Sequence, residues 1–543
     1  MSGLKRRFAV LMASIGYWAL LPASLLFLAR KIDTLLSLPS VSGAVGLGIG
    51  IPLVSSALIG TCWCLVAFYL QGGGFPLAFH PPVRLVQEGP YAASRHPLYL
   101  SFTIYLIGLA LLIRSIAALG IVIPGFTLIW ICYALLHEEP VIARRYGTSY
   151  AEYKAEVPFF FHLRRGVPGP GVVFSLVYLL GKLIISLLFP MKVEGREHLP
   201  QVGPYIVLAN HASYLDPVFL VAAGDRYVRF LTTAEMMRTR FSRWFFTCAG
   251  TMPTRRYRVD PGSVRALLTA LKKGEIVGIF PEGERTWDGN PLPVDRTVER
   301  LLSSAGVPLV AARIEGSYAV YPRWSRYPLP GRITIRFFPP FPPERVGDAL
   351  SRIAVPSGGR TILLRAARGL ESLLWACPSC RAIGSIGTRG RSIHCDRCRA
   401  SWTLDRRLRV IGKDGKTTSL AQLASSLNEE EVFAGVDSLE AIGSVDLLAG
   451  SERLSRLASG RLIYRDGRLH VGKDAFDLSG ARIIKVEGRD RLDIGLPQEK
   501  RLRLVFTQDS PLKWEQFLLL KLKIKTLSES KRTKEADCRG RLR

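Results

Sequence analysis

Long apolar runs in the first third of the chain constrain its fold more than any other feature. They are found at residues 8–28, 45–70, 98–113 and 116–136. A helix rises about 1.5 Å per residue, so about 20 apolar residues cross the ~30 Å hydrocarbon layer of a bilayer. The four runs predict an all-α polytopic membrane domain over residues 1–170. The first run is longer than the apolar part of a cleaved signal peptide, which indicates a retained helix.

Basic residues set the expected orientation of this domain. The loops at 71–97 and 137–170 are rich in arginine and lysine, which favours the cytoplasmic side. A fifth apolar run, 172–189, contains Lys182 and precedes a strongly basic region, so we expect an interfacial or re-entrant helix there. The sequence predicts an integral protein of the inner (cytoplasmic) membrane, and the domains that follow the membrane region are expected to face the cytoplasm.

Composition narrows the class of protein. A chain of 543 residues predicts three or four folding units. A formal net charge of +29 with 48% hydrophobic residues excludes a disordered chain and suggests contact with an anionic membrane surface. Nucleic acid would respond to the same charge, but a lipid bilayer is the expected partner. The nine cysteines do not form an evenly spread framework, which argues against a secreted, disulfide-stapled protein.

Ionisable groups at the ends of the predicted membrane helices form the first candidate site. The segment 95–99 reads Arg-His-Pro-Leu-Tyr, and Glu138-Glu139 ends the following helical hairpin. Such groups are costly in hydrocarbon, so they are candidates for function. The alternative is a loop that anchors at the head groups beside a solvated acidic helix end.

Together with tyrosines at 146, 150 and 153 and Val157-Pro158, these motifs resemble the isoprenylcysteine carboxyl methyltransferase and phospholipid N-methyltransferase family over about residues 70–160. The resemblance implies S-adenosylmethionine as a cofactor, although a purely anchoring domain remains an alternative. It implies these cofactor contacts: Arg95, His96, Tyr99, Glu138 and Glu139.

The pattern changes to α/β from about residue 193. Short apolar runs at 205–209, 276–280, 307–314 and 333–338 predict strands, with helices near 264–273 and 299–305. His211 follows the first strand, and Asp216-Pro217 follows five residues later. On one helix the two side chains would point ~140° apart, so a turn must bring them together, with Asp216 as helix N-cap. The pair would then act as base and orienter, with a substrate hydroxyl as nucleophile. Taken alone, this segment favours the alternative, a turn at the strand end in which Asp216 only caps the helix.

Three further blocks follow in order: 250–256 (Gly-Thr-Met-Pro-Thr-Arg-Arg), 280–286 (Phe-Pro-Glu-Gly-Glu-Arg-Thr) and 307–310 (Val-Pro-Leu-Val). With the His-Asp block they resemble the glycerolipid acyltransferase family, which includes 1-acylglycerol-3-phosphate acyltransferases, over about residues 175–345. Two departures are Arg255, where an acidic residue is common, and Thr286 in place of serine.

This second resemblance implies His211 as general base and Asp216 as its partner. It implies acyl-CoA or acyl carrier protein as the acyl donor and a lysophospholipid, 1-acyl-sn-glycerol-3-phosphate, as the acceptor. The residues implied at the acceptor's glycerol phosphate are Arg256, Glu282, Gly283 and Arg285. Arginine suits a phosphate because its planar fork donates two charge-assisted hydrogen bonds.

Two Cys-x-x-Cys pairs, Cys377 with Cys380 and Cys395 with Cys398, predict a zinc ribbon. Four thiolate ligands leave no open position, so the zinc would be structural. Beyond the ribbon, we expect a helix at 420–457, short strands over 461–506 and a closing helix at 511–524, weakly similar to a pleckstrin-homology-like barrel.

The predicted architecture is therefore multidomain. Its parts are a methyltransferase-like membrane domain (1–170), an acyltransferase domain (171–350), a linker helix (351–374), the zinc ribbon (375–405), a small α+β module (406–527) and a charged tail (528–543). A different class of function also fits these features: a lipid- or nucleic-acid-binding scaffold with inactive enzyme domains, in which the ribbon and the basic charge do the binding.

Overall fold

The structure is a computed structural model. It describes residues 12, 16–74, 82–160, 171–200, 204–254, 260–356, 358–361, 367–449, 453–497 and 500–524. Arg256, most of the first half of the apolar run 8–28 and the tail 528–543 lie outside the described residues. The chain divides into two compact units, residues 1–183 with 225–263 and residues 184–224 with 264–543. Each unit is described by itself.

Helices dominate the first unit. From the N-terminus they are α1 (Leu21–Leu35), α2 (Gly43–Ala67), α3 (Pro97–Leu112), α4 (Ile123–Tyr133), α5 (Glu139–Tyr146) and α6 (Thr148–Glu156). Next in the chain come α7 (Val172–Leu188), α8 (Asp216–Gly224) of the second unit, and α9 (Arg240–Cys248) of the first. Helices α2 and α3 pack at glycines, because a Cβ added to Gly46 would lie 2.6 Å from the Leu111 carbonyl oxygen.

Two described helices, Gly43–Gly72 and Ala118–Tyr146, are long and apolar enough to cross a bilayer by length and composition. The apolar helices Pro97–Leu112 and Phe174–Leu188 are shorter. The structure therefore supports membrane helices at two of the four predicted positions, and the four-crossing topology stays a prediction. The interfacial placement of the run 172–189 also stays a prediction.

The second unit contains a mixed α/β sheet in the order β1-β7-β6-β2-β5. Its strands are β1 (Met191–Glu194), β2 (Tyr205–Ala209), β5 (Ile276–Ile279), β6 (Leu309–Glu315) and β7 (Gly331–Phe337), with β8 (Arg360–Thr361) paired to β7. Between β2 and β5 in the chain lie β3 (Val228–Thr233) and β4 (Met252–Thr254), a parallel pair of the first unit. The helices of this part of the chain are α10 (Pro261–Lys272), α11 (Arg296–Ser304), α12 (Ser317–Val320) and α13 (Val346–Ile353). The four strands predicted from sequence are confirmed to within two residues at either end.

Strand β2 lies between β5 and β6 and runs parallel to both. Every residue of β2 is buried. Its sequence is a continuous apolar run, which is typical of a strand covered on both faces. Parallel strands bring their carboxyl ends to one edge of the sheet, where ligand sites of open α/β sheets form. This edge receives the residues that follow β2 and β5.

Two antiparallel sheets complete the second unit. The first, in the order β13-β12-β11-β10-β9, comprises β9 (Ile386–Arg389), β10 (Ser392–Cys395), β11 (Ser401–Leu404), β12 (Arg409–Gly412) and β13 (Thr417–Ser419). The second, in the order β17-β16-β15-β14-β20-β19-β18, comprises β14 (Ser438–Ala449), β15 (Arg453–Arg465), β16 (Arg468–Val471), β17 (Asp474–Asp477), β18 (Ile483–Glu487), β19 (Arg491–Gly495) and β20 (Arg501–Phe506). The remaining helices are α14 (Leu420–Ser425), α15 (Glu429–Val432) and α16 (Pro511–Lys521). The last sheet and one closing helix agree with the expected arrangement, whereas the pleckstrin-homology-like assignment stays a prediction.

Two expectations about secondary structure are wrong. The predicted helix 420–457 is two short helices followed by β14 and the first part of β15. The predicted linker helix is absent from the described residues between 354 and 374, which form β8 and one 3-10 turn, Leu370–Ser372. Gly369 has φ +98°, a left-handed conformation that interrupts a helix.

Candidate functional sites

His211 and Asp216 meet at the carboxyl end of β2. The Nδ1 atom of His211 lies 3.0 Å from Oδ2 of Asp216, whose side chain is fully buried. The same carboxylate oxygen accepts the backbone N–H groups of Ala212 and Ser213, at 2.7 and 2.8 Å. These bonds close the turn that the sequence required, and α8 begins at Asp216. Asp216 holds Nδ1 of the imidazole, so Nε2 is the ring nitrogen that would exchange a proton.

The loop after β5 is hydrogen-bonded to both the backbone N–H and the backbone carbonyl of His211. The N–H of His211 donates to Oε1 of Glu282 at 3.3 Å, and the N–H of Thr286 donates to the His211 carbonyl at 3.1 Å. The imidazole also stacks on Phe280, with 4.2 Å between ring centroids. Residues that the sequence placed 70 positions apart therefore form one site, as adjacent parallel strands require.

Glu282 ties this loop together through its carboxylate. Its second oxygen, Oε2, accepts the N–H of Leu292 at 3.1 Å. The pKa of Glu282 is raised to about 7, mainly by burial. The two N–H donors oppose this rise, and the nearby Asp216 carboxylate adds to it. Gly283 follows with φ +73°, a conformation that glycine adopts without strain.

Arg285 lies against the His-Asp turn. Its guanidinium carbon is 3.3 Å from the centroid of the Tyr214 ring, and the residue is 9% exposed. A guanidinium held flat on an aromatic ring keeps its donor edge directed, which suits a phosphate. Of the predicted acceptor contacts, the structure brings Glu282, Gly283 and Arg285 to the edge of the sheet that carries His211.

The buried side chain of Arg323 is hydrogen-bonded to the loop that carries Arg285. It donates to the Arg285 carbonyl at 3.0 Å, and to the carbonyls of Val486 and Gly488 in the C-terminal sheet at 2.7 and 3.0 Å. Its guanidinium also lies 4.6 Å from the centroid of the Trp287 ring. One side chain therefore links the loop to the C-terminal module within the second unit.

In the first unit, a charged cluster forms around Glu139, which is 2% exposed. Its Oε1 accepts from Arg95 Nε at 2.9 Å and lies 3.2 Å from His96 Nε2, and its Oε2 lies 2.8 Å from Lys154 Nζ. The predicted contacts Arg95, His96 and Glu139 are thus brought together, but they bind one another. This leaves Glu138 as the carboxylate for an incoming cation.

Glu138 and Tyr99 adjoin an aromatic stack. Tyr99 stacks on Trp130 at 5.0 Å between centroids, and Trp130 stacks on Phe159 at 6.0 Å. Among the residues that the structure describes, the buried Oε2 atom of Glu138 has no hydrogen-bond partner. A carboxylate oxygen without a partner beside aromatic faces fits the sulfonium and amino groups of S-adenosylmethionine.

A cavity of about 230 Å³ opens beside this cluster. Pockets for drug-sized ligands span about 300–1,000 Å³. The cavity alone is therefore smaller than a whole cofactor needs. Its lining, all from α4 to α6 and the turns between them, is Leu135, Glu139, Pro140, Ala143, Gly147, Tyr150, Ala151 and Lys154.

The four predicted metal ligands converge in the second unit. Their Sγ atoms all lie within 4.8 Å of one another, with 3.7 Å between Cys377 and Cys398 and between Cys380 and Cys395. Thiolates about 2.3 Å from a tetrahedral zinc lie about 3.8 Å apart, so the geometry fits zinc and is too wide for a disulfide.

Each Cys-x-x-Cys pair forms the same turn. The residue after each pair, Arg381 or Arg399, has φ near +60° and donates its N–H to the carbonyl of the first cysteine. The N–H of Cys380 points at Cys377 Sγ, and that of Cys398 at Cys395 Sγ, at 3.5 and 3.4 Å. Such N–H donors stabilise thiolate charge, as the outer shell of a metal site does.

The four-cysteine module and the turn that carries His211 share one hydrophobic cluster. It runs from Ala212, next to His211, through Trp324 and Leu374 to the ligands Cys377 and Cys395. All five of these side chains are fully or almost fully buried. The four-cysteine cluster therefore belongs to the same core as the turn that carries His211.

Several residues at these sites were missed from sequence. Phe280 and Tyr214 lie inside the quoted blocks, and their aromatic character was the available signal. Arg323, Trp130 and Phe159 lie far from their partners in sequence, so no local pattern pointed to them.

Comparison with protein families agrees with this division. Residues 190–315 match the family model described as acyltransferase, and residues 41–149 match the model described as phospholipid methyltransferase. The chain thus carries an acyltransferase-family domain and a phospholipid methyltransferase-family domain. The first contains His211 and its loop. The second contains Arg95, His96 and Glu139 and ends before Lys154.

Characterised relatives match the acyltransferase part. A 1-acyl-sn-glycerol-3-phosphate acyltransferase of Bacillus subtilis is 29% identical over 136 residues, 25% of this chain and 67% of the relative. The sheep (Ovis aries) 1-acyl-sn-glycerol-3-phosphate acyltransferase alpha is 30% identical over 167 residues, 30% of this chain and 58% of the relative. The chloroplast enzyme of Brassica napus with the same activity in its name is 29% identical over 138 residues, 24% of this chain and 39% of the relative. The chain spans two fifths to two thirds of the length of these relatives.

Among solved structures, the chain is similar to the 1-acyl-sn-glycerophosphate acyltransferase of Thermotoga maritima. The sequence identity is 22%, and the TM-score is 0.30. The match covers 42% of this chain and 90% of that one.

Proposed function

We propose that this chain is a membrane-bound lysophospholipid O-acyltransferase. Its acyltransferase-family domain lies C-terminal to a phospholipid methyltransferase-family domain. It would move a fatty acyl group from a thioester, acyl-CoA or acyl carrier protein, to the hydroxyl of 1-acyl-sn-glycerol-3-phosphate. The observation that carries this proposal is the His211–Asp216 pair, hydrogen-bonded through its backbone to the loop that bears Arg285. We propose further that the catalytic face lies on the cytoplasmic side of the inner membrane.

The chemistry follows from the geometry of the pair. Nε2 of His211 takes the proton of the acceptor hydroxyl, while Asp216 holds Nδ1 and stabilises the imidazolium that forms. The acceptor oxygen attacks the thioester carbonyl and gives a tetrahedral oxyanion. Its collapse breaks the C–S bond, and the departing thiolate takes the proton from His211. The products are the new ester and the free thiol.

Arg285 would bind the acceptor's phosphate, with Arg256, Glu282 and Gly283 completing the acceptor site. We expect Arg285→Lys to raise KM for 1-acylglycerol-3-phosphate by about tenfold or more, because a lysine cannot donate two parallel bonds. Monoacylglycerol, which lacks the phosphate, should be a poor acceptor for the wild type and for the variant alike. An unchanged KM in the variant, or equal use of both acceptors by the wild type, would refute the phosphate role.

A second activity, S-adenosylmethionine-dependent methylation of a lipid, is favoured by the partnerless carboxylate oxygen of Glu138 beside the Tyr99–Trp130 stack. The cofactor, when bound, supplies an electrophilic methyl group. Glu138 would hold its positive charge, whereas Arg95 and His96 would position the site through Glu139. The full chain in nanodiscs should bind S-adenosylmethionine, and Glu138→Gln should weaken binding at least several-fold.

The scaffold alternative makes the opposite predictions. If both enzyme domains were inactive, the chain would show neither acyl transfer nor cofactor binding. It would instead retain nucleic acid or lipid in a salt-sensitive manner. The two assays above therefore separate the classes of function.

A further inference from the structure

Helix α9 carries an apolar face that nothing in the described structure covers. Phe241, Trp244 and Phe245 recur at the spacing of one helix face, and the first two are 71% and 50% exposed. No residue of α9 is buried. The Phe241 and Trp244 rings lie 5.9 Å apart, so they form one patch. Exposed apolar surface costs about 25 cal/mol per Å², which indicates a ligand for this face.

Positive charge borders the patch. Arg240 and Arg243 are exposed on α9, and Arg238 lies just before it. The one acidic residue of the segment 234–248 is Glu235, which pairs with Arg238 at 3.4 Å. Aromatic residues on one face with arginines on the other are typical of helices that lie in a membrane interface.

The N-terminus of α9 is capped by residues of its own segment. Thr239 caps its N-terminus by accepting the N–H of Ser242 at 2.9 Å, and the Ser242 hydroxyl oxygen accepts the N–H of Thr239 at 3.1 Å. This reciprocal pair satisfies two of the backbone donors that a helix start leaves unpaired. The apolar face is therefore presented by a preformed helix, so binding would not need to order it.

Contacts within the first unit hold the C-terminal end of α9 beside α7. Gly250 follows α9, and its carbonyl accepts from Arg229 Nε at 2.8 Å. A Cβ on Gly250 would lie 1.7 Å from the Tyr227 hydroxyl, so the Gly250 backbone packs directly against the Tyr227 side chain. The Tyr227 ring in turn lies 5.0 Å from that of Phe174, at the start of α7.

The segment that contains Tyr227 is also linked, through Asp225 and Lys182, to the end of an apolar helix. Lys182 of α7 forms an ion pair with the buried Asp225, which also accepts from the Tyr178 hydroxyl at 2.8 Å. The Lys182 ammonium lies 4.9 Å from the centroid of the Tyr69 ring. Tyr69 is in the last turns of Gly43–Gly72, one of the two helices long enough to cross a bilayer. The anchored end of α9 is thus close to the end of that helix.

We propose that α9 is an interfacial lipid-binding helix that docks on an anionic bilayer leaflet. Phe241 and Trp244 would lie among the acyl chains, and Arg240 and Arg243 would bind phosphate head groups. The occupant is an acidic phospholipid surface, because the patch combines apolar area, arginine charge and continuity with the apolar helices. This inference rests on the proposed membrane-bound function and adds a specific lipid contact to it.

Bromolipid quenching of tryptophan emission tests this proposal on the full chain in nanodiscs. The difference between the wild type and Trp244→Phe isolates the emission of Trp244. We expect brominated acyl chains to quench that component, and brominated phosphatidylglycerol to quench it several-fold more than brominated phosphatidylcholine at equal content. In Arg240→Gln/Arg243→Gln the two lipids should quench equally. Trp402→Phe, in strand β11, is the matched control. The emission that this substitution removes should be insensitive to bromolipid.

The outcomes separate this inference from the function on which it rests. Quenching of Trp63 and Trp130, in the apolar helices, without quenching of Trp244 would overturn the docking of α9 and leave the membrane-bound function standing. Equal quenching of Trp244 by the two lipids in the wild type would overturn the head-group contact. If no tryptophan were quenched, the membrane-bound function would fail as well.

Discussion

Asp216 shows how much a single carboxylate determines at the acyl-transfer site. Its Oδ2 atom accepts two backbone N–H groups and faces His211 Nδ1. The buried anion therefore both shapes the turn and determines which ring nitrogen of His211 would exchange a proton. The other carboxylate of the site, Glu282, has a different role, because its two oxygens accept backbone N–H groups from the loop and the turn.

We expect Asp216→Asn to lower kcat for acyl transfer by about 10²–10⁴, because an amide neither fixes the imidazole tautomer nor stabilises imidazolium. KM for the acceptor should change little. Initial rates in nanodiscs measure both constants, with Asp474→Asn, on an exposed strand, as the matched control. A fall in affinity without a fall in kcat would show that Asp216 acts only as a helix cap.

Glu282 gives the fold a pH dependence of known sign. Burial raises its pKa from 4.5 to about 7, so the folded state binds this proton more tightly than the unfolded state does between those values. The stabilisation by the bound proton is full below about pH 4.5 and is lost as pH rises through about 7.

A glutamine side chain cannot ionise. We therefore expect the Tm of Glu282→Gln to fall less than that of the wild type between about pH 5 and about pH 8. Thermal unfolding of the full chain in nanodiscs measures the slope. Glu344→Gln, which changes an exposed carboxylate outside the site, should leave the slope as in the wild type. Parallel slopes for wild type and Glu282→Gln would contradict the raised pKa.

Among secondary-structure elements, the buried strands were predictable from sequence because their apolar runs are short and uninterrupted. The His-Asp turn was predictable as well, since helical geometry alone excludes the pairing of residues five apart. The Cys-x-x-Cys spacing likewise predicted four converging thiols. In each case the determining interactions are local.

Elements that depend on distant partners were not predictable in this way. Strand β14 was expected to be helical, yet it pairs with β15 and β20, and Gly443 allows that approach because a Cβ there would lie 2.2 Å from the Val505 carbonyl oxygen. At Gly369 a Cβ would lie 2.3 Å from the Trp324 carbonyl oxygen, so close packing replaces the expected linker helix. Tertiary contacts override local propensity at both positions.

The loop between β5 and α11 depends on Arg323 in the same non-local way. We expect Arg323→Met to leave three carbonyls without their donor, to destabilise the protein by about 3 kcal/mol or more and to raise KM for the acceptor as Arg285 loses its support. Arg323→Lys should not rescue KM, because one ammonium group cannot match the guanidinium fork. The control is Arg313→Met, whose Nε donates to one exposed carbonyl. An unchanged acceptor KM in Arg323→Met would restrict this residue to a structural role.

At the scale of the whole molecule, the predicted ribbon shares a hydrophobic core with the turn that carries His211. The cluster from Ala212 to Cys395 is continuous, so loss of metal should be felt at His211. We expect chelation of zinc to lower the Tm of the second unit by about 10 °C or more and to reduce acyl transfer. Elemental analysis should find one zinc per chain.

Cys380→Ser/Cys398→Ser should reproduce the effect of the chelator, whereas Cys132→Ser, an exposed thiol of the first unit, should not. A chain that contains no zinc, or that keeps its Tm and activity after chelation, would refute a structural role for zinc in this core.

The role of His211 in acyl transfer is tested by comparing rates of product formation. The purified full chain in nanodiscs is supplied with 1-acylglycerol-3-phosphate and a labelled acyl thioester, and labelled phosphatidic acid is followed. The wild type and His470→Ala, a change on an exposed strand, should form the product at equal rates, and His211→Ala should be slower by about 10²–10⁴. Equal product formation by His211→Ala, or none by the wild type, would contradict the assignment of this chain as an acyltransferase that uses His211 as its base.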